Sequence, residues 1–137
     1  MTRADALPEW MPGTAVRSLP CGRWWDGVRV PSFVGMRVVD RLRDRSGPII
    51  EDQVDVSMTW LVPVAAADGW RERTPGIAVL RAGDDLAVPP ADWTGGPWAG
   101  GATPRWLIRP AGTCLTAPAD LRAALEKVLP RSRARNV

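Results

Sequence analysis

At 137 residues the chain has the length of one domain, enough to bury a hydrophobic core without disulfide or metal staples. Its composition is 45% hydrophobic and 24% charged, with eight tryptophans, one phenylalanine, no tyrosine and no histidine, and the missing histidine excludes Ser-His-Asp, Cys-His and His-metal chemistry. The formal charge of +3 equals the contribution of Arg131, Arg133 and Arg135, which follow Pro130, so residues 1–130 are neutral and the body is not a basic protein.

Residues 1–22 contain Pro8, Pro12, Gly13, Pro20 and Gly22 without a sustained period and read as an extended arm, pinned by Trp10 and Met11. From Arg23 to Val30 the pattern alternates. Trp24, Asp26, Val28 and Val30 point one way and Arg23, Trp25, Gly27 and Arg29 the other, which predicts a strand. Ser32 then reads as the N-cap of a helix over about 33–45, with Val34, Val38 and Leu42 repeating every four residues and Gly47-Pro48 as the stop. Ile49–Ile50 begins a short strand. Ser57–Val64 reads as a central strand with Met58, Trp60 and Val62 on one face, followed by a helical turn over 65–70. Residues 76–81 and 86–88 are β-prone and joined by Ala82-Gly83-Asp84-Asp85, which predicts a hairpin. Residues 89–104 are irregular, with four prolines, four glycines, Trp93 and Trp98. Arg105–Arg109 reads as a strand with Trp106 and Ile108 on one face. A last helix over about 118–129 carries Leu121, Leu125 and Val128 at helical spacing and stops at Pro130.

The order predicts an α+β domain over 23–130: a mostly antiparallel sheet of five to six strands with two helices packed on one face, flanked by the arm (1–22) and a basic tail (131–137). No segment reads as a signal peptide or a membrane span, so a cytoplasmic protein is expected, with Cys21 and Cys114 reduced.

Three groups of residues carry chemical potential. Asp26, Asp84 and Asp85 are the candidate acids or bases, and with Asp92 they offer a carboxylate cluster, although aspartates in a turn also serve its local hydrogen bonding. Arg23, Trp25, Arg29, Arg105 and Arg109 would, on one open sheet face, combine guanidinium groups with an aromatic ring as single-strand binders and nucleotide pockets do. Trp93 and Trp98 either take part in binding or fold back over the sheet.

Several runs together resemble a shortened bifunctional DNA primase/polymerase (prim-pol) domain of the archaeo-eukaryotic primase superfamily, of the divergent actinomycete type. They are Arg23 to Pro31, the helix ending in Gly47-Pro48, Thr59 to Pro63, Gly76 to Pro90 and Pro104 to Pro110. The resemblance spans about residues 20–129. It implies an RRM-like core and a metal site built from a pair of acids, a histidine and a further acid. Carried over by position, the first acid falls on Asp26, its partner on Arg29, the histidine near Ser57 and the last acid near Ala78. One group of four remains, and an arginine repels a metal. The resemblance therefore implies a catalytically inactive module, with no metal and no cofactor, that recognises a nucleotide, a single-stranded nucleic acid or a protein partner. The alternative is a small metal-independent enzyme using Asp26, Asp84 or Asp85 in a tryptophan-lined pocket.

Overall fold

The computed structural model describes residues 7–74, 76–94, 104–112 and 114–129; Trp98 and the basic tail lie outside them. Strand alternation over 26–31 gives β2 (Asp26–Pro31), whose Val28 and Val30 are buried. β4 (Ser57–Val62) pairs with it antiparallel, with Val28 opposite Trp60 and Arg29 opposite Thr59. β3 (Ile49–Asp52) and β7 (Arg105–Ile108) extend the sheet on one side and β5 (Ala78–Leu80) on the other, in the order β5-β2-β4-β3-β7. All four neighbouring pairs are antiparallel.

Every residue of β4 is buried, because both faces of the sheet are covered. On one face Val28, Val30, Met58, Trp60 and Ile49 meet α1 (Ser32–Leu42) and α3 (Pro118–Val128), which contribute Val34, Val38 and Leu42, and Leu121, Leu125 and Val128. On the other, Trp25, Ile50, Leu61 and Trp106 meet a two-stranded ribbon of β1 (Arg17–Pro20) and β6 (Asp85–Val88) through Leu19, Leu86 and Val88. The layers are thus ribbon, sheet and helices. The expected α+β class, antiparallel sheet and two helices on one face are all present.

Four local readings change. The end of the arm is strand β1, and Trp10 closes the ribbon side edge-on against Trp25 at 5.5 Å. Residues 78–88 form no hairpin: the turn exists, with Asp84 N–H donating to Arg81 O, but β5 joins β2 while β6 crosses to β1. Leu86 and Val88 need the ribbon-side core, which a hairpin with β5 would deny them. Ser32 is the first residue of α1 and not its cap; Pro31 holds the cap position and Ser32 N–H donates to Val56 O. Finally, a β-bulge sets Ile108 opposite Ile49 but Trp106 opposite Ile50, so Leu107 is the extra residue and Trp106 and Ile108 face opposite layers.

A helical turn, α2 (Trp70–Arg73), sits before β5. Among the described residues no helix is long and apolar enough to cross a membrane. Both cysteines are free, Cys21 buried and Cys114 exposed.

Candidate functional site: a groove where the sheet forks

The pairing of β5 with β2 runs from Leu80 opposite Gly27 to Ala78 opposite Arg29 and then stops. Beyond it Gly76, with φ near +100°, turns one chain away while Val30 and Pro31 continue along β4. The fork opens a groove of about 330 Å³ whose walls include Arg29, Pro31, Val56, Ser57, Ile77 and Ala78. Because Ser32 N–H points to Val56 on the β4 side, alternation turns Pro31 toward the fork. Pro31 has no N–H, so the strand ends there without an orphaned donor.

Arg29 is half-buried in this groove. Its Nε donates to Oγ1 of Thr59, its cross-strand partner, at 3.1 Å. That bond fixes the guanidinium plane. Among the described residues no carboxylate lies within ion-pair distance of Arg29, and its two terminal nitrogens have no hydrogen-bond partner. Asp55 also lines the groove, with Oδ1 accepting from Ser57 Oγ at 2.6 Å.

Of the other expected positions, Trp25 shares the ribbon-side face of β2 with Arg29 but does not line the groove. It is fully buried beneath Trp10, and among the described residues its Nε1 has no partner. Arg23 is exposed and lies over the Trp24 ring at 4.5 Å. Arg105 points to the helix layer, where its Nε donates to Glu51 Oε1 at 3.2 Å. Arg109 is exposed beyond the end of β7. Trp93 is half-buried, and its carbonyl accepts from Trp106 N–H while Trp106 Nε1 donates to Pro89 O, which ties this stretch to β7.

The three candidate carboxylates all lie near enough to act on the Cys21 thiol but have separate local roles. Asp26 is 1% exposed; Oδ2 accepts from Ala65 N–H at 2.8 Å, and among the described residues Oδ1 has no partner. It lies three residues from Arg29 and therefore on the opposite face of β2, opposite Val62. Asp84 is exposed and closes its turn through Oδ2 to Arg81 N–H, and Asp85 is exposed in β6. Among the described residues no group of three acidic or thiol side chains converges to hold a cation.

Sequence reasoning missed Thr59, which orients Arg29, and Val56, which lines the groove in a left-handed conformation at φ 54°. The alternation of Ser57, Thr59 and Leu61 opposite Met58, Trp60 and Val62 contained the first signal. No sequence pattern announces the second.

Fold and groove together define a three-layered α+β protein with a half-buried guanidinium, unpaired among the described residues, at a sheet fork. The chain matches no family model, no curated protein and no solved structure.

Proposed function

We propose that this chain is a catalytically inactive prim-pol-like binding module in which the former active-site position has become an anion-binding groove centred on Arg29. One observation carries the reading. The resemblance carries the family's second acid onto Arg29, its histidine near Ser57 and its last acid near Ala78, far apart in sequence, and these three residues line the same groove. The remaining acid position, Asp26, is sealed on the other face of β2 and cannot act with them. The guanidinium at the second-acid position attracts a phosphate or carboxylate group and repels a metal, while the Asp55 carboxylate on the groove wall is engaged by Ser57 Oγ. The ligand bears that group as part of a nucleotide, a nucleic acid or a protein. No observation favours a carboxylate enzyme, since Asp26 is enclosed and Asp84 serves an exposed turn.

Thermal unfolding with added anion tests this reading. A ligand that binds only the folded chain at about 100 times its Kd adds about 2.7 kcal/mol of stability. Titration with inorganic phosphate, adenosine monophosphate and acetate is expected to raise the Tm of the wild type for at least one of them, and to leave that of Arg29→Gln unmoved. An equal rise in both proteins would place the anion elsewhere and remove the proposal.

A further inference from the structure

The groove's surroundings indicate what carries the anion, an inference that rests on the anion-binding reading above. Four of the seven large apolar side chains exposed among the described residues flank this end of the sheet: Phe33 (73% exposed), Met36 (53%), Val54 (81%) and Val56 (58%). The Ser32–Val56 hydrogen bond at 2.8 Å ties the first turn of α1 to the β3–β4 turn beside Pro31, so exposed Val56 lines the groove and exposed Phe33 follows the Pro31 wall by two residues. Phe33 is the chain's one phenylalanine, and it contributes nothing to the core. Val56 is β-branched and held at φ 54°, a conformation that costs free energy and is kept where something besides stability requires it.

Charge narrows the occupant. Arg29 is the cation on the groove wall, and among the described residues its two terminal guanidinium nitrogens have no partner. The complement is acidic. A nucleic-acid strand would meet polar, cationic walls, whereas here Pro31, Val56 and Ile77 line the groove and Asp55 stands in it. An apolar collar around a half-buried cation suits a protein segment that places an aliphatic or aromatic side chain beside a carboxylate. Added-strand pairing is not the mode, because Pro31 offers no N–H to the fork. Nor is a second copy, because a two-fold contact through the groove would set Arg29 against its own counterpart. We propose that the Arg29 groove with its Phe33–Val56 collar is the docking site for an acidic, apolar segment of a partner protein.

Random peptides displayed on phage and panned against the full chain test this directly. Enriched peptides should combine aliphatic or aromatic residues with Asp or Glu, and their affinity, measured by fluorescence anisotropy, should fall at least tenfold in Arg29→Gln, Phe33→Ser and Val56→Gly. Val56→Gly separates docking from folding: it relieves the left-handed strain, so the variant should resist urea at least as well as the wild type while binding more weakly. No enrichment over the naive library, or selected peptides that bind all three variants as well as wild type, overturns the proposal. Groove-dependent binding of oligo(dT) in place of peptides also overturns it, in favour of nucleic acid. If phosphate or acetate still raises the Tm through Arg29 while no peptide is selected, the anion groove stands and the protein partner falls. If neither occurs, both fall.

Discussion

Asp26 and Arg29 share strand β2 and end in opposite environments, one sealed against the helix layer and one open to a groove. Asp26 holds the 63–69 turn by accepting from Ala65 N–H, where the chain takes φ 68°. Asp26→Ala leaves that donor unmet and should cost about 1–3 kcal/mol in urea unfolding; a change under about 0.5 kcal/mol would show that water satisfies the turn equally well. Cys21 makes a second residue-level prediction. Burial, followed by the charges of Asp26, Asp84 and Asp85, pushes its thiol from 9.0 up to about 12, with Arg29 opposing. At pH 8 an aromatic disulfide reagent should therefore modify Cys114 quickly and Cys21 only after unfolding. Between pH 9 and about 12 the unfolded chain releases a proton that the folded chain retains, so stability falls as pH rises through that window. The urea midpoint of the wild type should drop more steeply there than that of Cys21→Ala, and parallel curves would contradict the shift.

Elements whose pattern is purely local were legible: the alternation over 23–30 became β2, and the four-residue repeat of Val34, Val38 and Leu42 became the buried face of α1. What failed depended on partners. The bulge at Leu107 is invisible to an alternation count, and the choice of β6 to join β1 is decided by which core Leu86 and Val88 enter. The groove was half legible for the same reason. Arg29 stood out as a charge in a strand, but Thr59 as its orienting partner requires the β2–β4 register. Close approaches likewise appear only in three dimensions. A Cβ on Gly47 would sit 2.6 Å from the backbone nitrogen of Thr116, whereas one on Gly35 would meet the flexible end of Met58 at 2.5 Å. Gly35→Ala should cost about 1–3 kcal/mol as a repacking strain. Gly47→Ala should cost more, because it must move the backbone ahead of α3 and the bond from its own N–H to Thr116 Oγ1. Reversal of that order in urea melts would contradict the account.

On the scale of the molecule, the ribbon, sheet and helix layers consume most of the tryptophans that made the composition unusual. Trp25, Trp60 and Trp106 are fully buried, and Trp60 Nε1 is satisfied by Ser46 Oγ. The aromatic surplus builds two cores around one sheet and leaves the groove to Arg29, Asp55, Ser57 and aliphatic side chains. Missing histidine and a neutral body exclude much chemistry, and the function proposed for the groove relies on one oriented cation, Arg29. The Arg29 Nε–H resonance in a ¹⁵N-labelled full chain tests that claim most directly. On titration with phosphate or acetate it should shift and saturate, while the Arg23 Nε–H, exposed over Trp24, follows only bulk ionic strength. An Arg29 signal that moves no more than that of Arg23 would contradict an anion-binding groove.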